Sequence, residues 1–275
     1  MEIITSKKEI THYTKFLKSS NKKISLIPTM GNLHDGHLSL IKSSEDYESI
    51  KIASLFVNPL QFNSKEDFKN YPSTIDKDIK ILQKNNIDCL FMPDKNDILP
   101  KDFENIKLPW GFNNLLCGKY RPGHFEGVYI IVKQLIDAIN PDYMFFGEKD
   151  YQQLLLIKYI HQEFYKNINK LLIISCPTIR DASGLALSSR NNLLNDKQKT
   201  LVSKKILDIR ENLMDLKTPL NNDDFSIEYI EEWNLSNLHS QHGLLDIEKK
   251  LNNKKRIFLA IYVGKVRLID NFEIQ

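Results

Sequence analysis

Two histidines, His34 and His37, stand three residues apart in the run Pro28-Thr29-Met30-Gly31-Asn32-Leu33-His34-Asp35-Gly36-His37. The run reads as a strand exit, a glycine turn and a helix start, and residues three apart on a helix share a face. The first turn of a helix leaves backbone N–H groups unpaired and carries the positive end of the helix dipole, so the arrangement suits a phosphate. The same two residues would also serve as a zinc pair or as solvated side chains. No third ligand stands nearby, which disfavours zinc.

Further along, Lys149 follows Gly147 and brings an ammonium to a strand exit, where a triphosphate can lie, although a surface ion pair with Glu148 or Asp150 is the plainer use of such a lysine. Ser188-Ser189-Arg190 joins two hydroxyls to a guanidinium; alone it reads as a solvated loop, and Gly184 before it suggests mobility. Gln61 and Gln153 are neutral amides that donate and accept, matching a substrate with hydroxyls and a carboxylate that must stay nucleophilic. Glycine is scarce, 10 residues in 275, against a usual share of about 7%. Seven of the ten fall in four short runs that also carry His, Lys, Asp or Arg. Three of those runs directly follow expected strands, where open α/β sheets bind ligands.

The elements that must position these residues are apolar runs ending in turn residues: Ile24 to Ile27, Ile52 to Val57, Cys89 to Met92, Tyr143 to Phe146 and Leu171 to Ser175. Their continuous apolar character predicts strands buried on both faces. Helical stretches lie between them at Leu38 to Ser44, Ile75 to Lys84 and Val128 to Ile139. The alternation predicts a parallel, doubly wound α/β sheet. After Asn191 the texture changes to a polar helix from Asp196 to Met214, a loop with Pro219, Asn221 and Asn222, and a hairpin-like tail from Arg256 to Asp270. The expected organisation is a Rossmann-like domain over residues 1–182 and a smaller α+β, lid-like domain over 183–275.

Hydrophobic residues make up 41% and charged residues 27%, ordinary globular shares that argue against a disordered or membrane protein. A net charge of +3 with scattered lysines argues against nucleic acid as a partner. The first seven residues hold no apolar run of signal-peptide length and no segment has the apolar length to span a bilayer, so the expected location is the cytoplasm. Cys89, Cys117 and Cys176 are odd in number and far apart, and free thiols are the default.

His34-Asp35-Gly36-His37 has the form of the His-x-Gly-His signature of the nucleotidyltransferase superfamily, which includes adenylyltransferases and class I aminoacyl-tRNA synthetases. With Pro28-Thr29-Met30-Gly31 before it and Leu38-Ser39-Leu40-Ile41 after it, the block specifically resembles the pantothenate synthetase family. Four further colinear blocks carry the same resemblance: Phe56 to Phe62 with Glu66 to Tyr71-Pro72, Arg121 to Val128, Phe146 to Leu154, and Pro177 to Arg180 with Gly184 to Asn191. The tail Val263 to Asn271 resembles the family's last strand.

The resemblance implies an enzyme that activates pantoate with ATP as an acyl-adenylate, releases pyrophosphate, and passes the acyl group to β-alanine with loss of AMP. It implies that His34 and His37, beside the Met30-Gly31 turn, bind ATP phosphates together with Lys149. It gives Gly147 and Asp150 the ribose, the Ile179 main chain the adenine, and Ser188, Ser189 and Arg190 the β- and γ-phosphates. Gln61 and Gln153 fall to pantoate with Asn58 supporting them, and Asp78 to Mg²⁺. A homodimer is implied as well. Two departures stand out, Cys117 where the family has an acidic residue and Glu126 at a commonly basic position; they suggest a rearranged ion pair around Arg121. Two rival readings remain: another adenylyltransferase, which would need a basic acceptor pocket, and an idle nucleotide-binding relative, which would show erosion at His37, Lys149 or Arg190.

Overall fold

Alternate residues of one strand can be buried on opposite faces only where both faces of the sheet are covered, and β2 (Ile24–Thr29) shows this: Ile24 and Leu26 pack into one apolar cluster, Ile27 into another. The computed structural model describes residues 1–102, 106–167, 170–211, 225–234 and 254–274. The remaining strands of this sheet are β1 (Glu2–Ile4), β3 (Ile50–Leu55), β4 (Cys89–Phe91), β5 (Tyr143–Gly147) and β6 (Leu172–Cys176). All pair in parallel, in the order β1-β4-β3-β2-β5-β6. The same split by parity recurs at Ile52 against Ala53, Phe91 against Leu90, and Met144 against Phe145. One face is covered by α1 (Lys7–Ser19), α4 (His124–Ile139) and α5 (Tyr151–Ile160); the other by α2 (Asp35–Ser43) and α3 (Ile75–Lys84).

A second, antiparallel sheet joins β7 (Phe225–Asn234), β8 (Lys255–Val263) and β9 (Val266–Ile274) in that order. Its strand β8 also has two buried faces. Ile257, Leu259 and Ile261 pack with Val202 and Ile206 of α6 (Asp196–Glu211), while Phe258 and Ala260 join the large core beside Tyr151 and Tyr229. Each large side chain among these contributes about 1.5–3 kcal/mol by leaving water, so the small sheet is seated on the main body by its own core residues.

The five expected strands and three expected helices all form, with ends moved by at most four residues. The structure adds β1, α1, α5 and β7 to them. The polar helix begins at Asp196 and is described to Glu211; residues 212–214, the loop with Pro219, Asn221 and Asn222, and residues 235–246 lie outside the described residues. From β2 the chain winds outward to β3 and β4, and from β5 to β6 on the opposite side. The crevice between the carboxyl ends of β2 and β5 is thus the topological switch point of the sheet, where such folds bind ligands.

Candidate active site

At this switch point lies a cavity of about 250 Å³, lined by the exits of β2 and β5, the first turn of α2, one face of α4 and residues 177–179 and 187–190. It gathers Met30, His34, His37, Asn58, Gln61, Gly147, Lys149, Asp150, Gln153, Ile179, Ser188, Ser189 and Arg190. Of the residues singled out from the sequence, Gly31 and Asp78 do not line it.

His34 is the N-cap of α2, and its Nδ1 accepts the Gly36 N–H at 3.2 Å. His37 Nδ1 in turn accepts the His34 N–H at 3.3 Å, a reciprocal cap. The His37 and Leu38 N–H groups donate to the His34 carbonyl at 2.7 and 3.2 Å. The expected row of free first-turn amides is therefore replaced: the cap uses the Gly36, His37 and Leu38 N–H groups, and the imidazoles face the cavity instead. Because both Nδ1 atoms accept, each neutral ring carries its proton on Nε2. The ring centroids are 4.2 Å apart. Burial, then the nearby Lys149 charge, pushes His34 down to about 4. Burial, then His34, pushes His37 down to about 3. Both are neutral donors at neutral pH.

The turn before them is held from beneath. Asp78, 1% exposed, accepts the Asn32 N–H at 2.8 Å, the Leu33 N–H at 2.9 Å and the Thr74 hydroxyl at 3.1 Å. A Cβ on Gly31, whose φ is +81°, would stand 3.1 Å from an Asp78 oxygen. Asp78, expected as a metal ligand, thus accepts hydrogen bonds from the turn and does not line the cavity. Among the described residues no group of three or more His, Cys, Asp or Glu could hold a metal ion. Ser189 closes the turn from above, its hydroxyl donating to the Asn32 carbonyl at 3.2 Å. Ser188 Oγ accepts the Arg190 N–H at 3.3 Å, and the Arg190 guanidinium pairs with Asp67 at 3.1 Å.

Gln61, 8% exposed, donates to the Met30 sulfur at 2.7 Å and accepts from Asn58 Nδ2 at 3.2 Å. Asn58 Nδ2 also donates to the Gly127 carbonyl at 2.9 Å. Only glycine fits at 127, since an added Cβ would come within 2.4 Å of the Leu60 carbonyl group. That contact presses α4 against the turn carrying Gln61. Val128, Ile131, Val132 and Leu135 of the same helix, with Phe146 of β5, give the cavity an apolar wall. Lys149 Nζ lies 3.6 Å from Asp150 and lines the cavity at the same time, so it is more than a surface ion pair.

Sequence reasoning left out the apolar wall, Tyr71, Arg121 and His124, all of which line the cavity. The helical spacing of Val128, Ile131, Val132 and Leu135 was the signal for the wall, and Arg121 and His124 stood within a recognised block. His124 Nδ1 donates to the Gln61 carbonyl at 2.8 Å, and Arg121 Nη2 donates to the same oxygen at 3.1 Å. Full burial holds His124 well below its ordinary value, so its Nε2 accepts from Arg121 Nη1 at 3.1 Å. Among the described residues Arg121 has no carboxylate within ion-pair distance. At the two departures, Cys117 Sγ meets Tyr229 Oη at 3.1 Å and Arg267 at 3.5 Å, and Glu126 accepts from Asn113 at 2.8 Å.

The pantoate-beta-alanine ligase profile matches residues 2–273. A pantothenate synthetase of Buchnera aphidicola subsp. Acyrthosiphon pisum (strain Tuc7) is 43% identical over 100% of this chain and 99% of its own. One from Francisella tularensis subsp. novicida (strain U112) is 44% identical over 91% of this chain and 89% of its own. Among solved structures, a pantoate-beta-alanine ligase from Francisella tularensis, complexed with beta-gamma ATP and beta-alanine, superposes with a TM-score of 0.82 at 38% identity, covering 99% of this chain and 97% of that one. A pantothenate synthetase from Thermus thermophilus gives 0.80 at 28% identity, with 99% of each chain covered. With the cavity at its switch point built from the blocks that carry the resemblance, the chain belongs to the pantoate-beta-alanine ligase family.

Proposed function

We propose that this chain condenses pantoate with β-alanine at the expense of ATP, through a pantoyl-adenylate, and that the cavity residues divide the work between nucleotide and acyl substrate. The observation that carries the division is the cavity's mixed lining. It holds the cationic or N–H-donating side chains His34, His37, Lys149 and Arg190, and also two glutamines and an apolar wall.

In this reading the pantoate carboxylate attacks the α-phosphorus of ATP in line and pyrophosphate leaves. The Nε2–H groups of His34 and His37 donate to phosphate oxygens, and the Lys149 and Arg190 charges counter the negative charge that grows there. Met30, Gly147, Asp150 and Ile179 border the nucleoside, with Gly31 shaping the turn from behind. Ser188 and Ser189 hold their segment over the phosphates. Gln61 and Gln153 meet pantoate's hydroxyls, with Asn58 fixing Gln61, and pantoate's geminal methyls take the wall of α4. The β-alanine amine then attacks the acyl carbon and AMP departs, its leaving oxygen being the former pantoate carboxylate oxygen. The protein's contribution is positioning and charge, with no covalent intermediate on the chain.

The residues do not fit a magnesium site on Asp78, and no step here runs through that ion; magnesium belongs in this reading with the nucleotide's own phosphates. Arg121, with no carboxylate at ion-pair distance among the described residues, is one basic feature an adenylyltransferase with a phosphorylated acceptor would need, but the apolar wall and the two amides make a neutral pocket that favours a branched hydroxy acid. A homodimer and a cytoplasmic location complete the proposal. No helix among the described residues is long and apolar enough to cross a membrane, and Cys89, Cys117 and Cys176 are free and buried. Pyrophosphate release from ATP that requires pantoate, and not β-alanine, is the test. Release that ignores pantoate would reject the reading.

A further inference from the structure

The turn that carries Lys149 and Asp150 is three residues long, Glu148–Asp150, and a turn so short has little hydrogen bonding of its own to fix it. Its support comes from the far end of the chain. Asn271 of β9, 3% exposed, donates from Nδ2 to both the Glu148 carbonyl at 2.9 Å and the Lys149 carbonyl at 2.8 Å. Its Oδ1 accepts from Arg256 Nη1, so the amide cannot flip without facing donor to donor. The preceding residue, Asp270, is also 3% exposed and takes Arg180 in a two-pronged pair, at 2.6 and 2.8 Å. Arg180 Nη1 donates in addition to the Gly184 carbonyl at 3.0 Å. Arg180 directly follows Ile179, which lines the cavity as Lys149 does.

One dipeptide on the last strand therefore grips two segments that line the cavity, the one carrying Lys149 and Asp150 and the one carrying Ile179. We infer that Asp270 and Asn271 are positioning residues for nucleotide binding: Asn271 sets the peptide planes that aim Lys149 and Asp150, and Asp270 sets Arg180 and with it the Ile179 main chain. The inference rests on the reading of these two segments as part of the ATP subsite. It gives the small C-terminal sheet a part in building that subsite, distinct from covering it. Gln61 is held instead by Asn58, whose amide also binds the Gly127 carbonyl of α4.

The test uses the full chain and compares ligands. Asn271→Asp keeps the size and the Arg256 partner but sets a carboxylate against two carbonyls; Asp270→Asn keeps the shape but leaves Arg180 without its counter-charge. Calorimetry with a non-hydrolysable ATP analogue and with pantoate is the readout, next to the melting temperature and the KM values for both substrates. Positioning predicts that each variant weakens the analogue about tenfold or more while pantoate stays within about twofold. Equal loss for both ligands, or a lowered melting temperature with analogue affinity unchanged in either variant, overturns the inference and leaves the dipeptide as a fastener between sheets. The second variant decides the matter if the first does not fold. Wild-type protein that fails to bind the analogue at all refutes the nucleotide reading itself, a result distinguishable from a loss confined to the variants.

Discussion

In the proposed reading, protonation of His34 and His37 decides whether phosphates meet charges or neutral donors, and burial of the two rings favours the neutral form. With His34 lowered to about 4 and His37 to about 3, the rate is expected to show no step near about 6.5, the ordinary histidine value. Proton NMR of the two rings should be flat from about pH 5 to about pH 8. Titration of either ring near its ordinary value would contradict the burial argument. For stability the sign follows from the same lowering: the unfolded chain takes up protons first, so the native state loses stability as pH falls below about 6.5, through the window down to His34's value of about 4. His37→Ala should cut adenylation about 10²–10³-fold, and should also cost about 1 kcal/mol of stability because the ring caps the His34 N–H. Single-turnover rates and thermal unfolding check the two halves, and a folded variant with near-normal rates would remove His37 from the chemistry. Gln61→Ala should weaken pantoate while sparing the ATP analogue, read by calorimetry; the reverse pattern would reassign Gln61. At this scale spacing made the histidine pair legible, and the blocks made the other cavity residues legible. A carboxylate near a phosphate motif reads as a ligand, and only the fold reveals that Asp78 faces two amides of its own protein.

The strands were legible because burial on both faces leaves continuous apolar runs, and five such runs mark β2 to β6. The three-residue β1 is too short to carry such a run, and its partner among the described residues, β4, lies nearly ninety residues away. The turn between β2 and α2 shows what elements do for the site. It is pinned by Asp78 from α3 and by Ser189 from the segment before α6. Asp78→Asn should leave one of those turn amides facing an NH₂ group and cost about 1–3 kcal/mol, with the magnesium concentration that half-saturates the rate unchanged. Calorimetric unfolding and a magnesium titration separate the roles, and an unchanged stability with a raised magnesium requirement would restore Asp78 as a ligand. Gly127→Ala tests the contact of α4 with the Gln61 turn. The added methyl meets the Leu60 carbonyl group at 2.4 Å, so the variant should lose about 1–3 kcal/mol and raise the KM for pantoate. A variant as stable as the parent would show that this close approach is not needed.

On the scale of the whole molecule, the doubly wound sheet gathers basic, amide and apolar side chains at one switch point, and the last strand reaches back to the turn that carries Lys149. That return was not legible in the sequence, because Asn271 and Lys149 are more than a hundred residues apart and nothing local to either announces the contact. The apolar wall was hidden for the opposite reason: its residues carry the ordinary helical spacing of a core-facing helix. In the proposed reading the pantoate carboxylate reaches the α-phosphorus and not the γ-phosphorus, and isotope transfer reads this directly. Pantoate labelled with oxygen-18 in its carboxylate should give labelled AMP after β-alanine is added, with pyrophosphate released beforehand. Label found in inorganic phosphate, with ADP as the nucleotide product, would contradict the account.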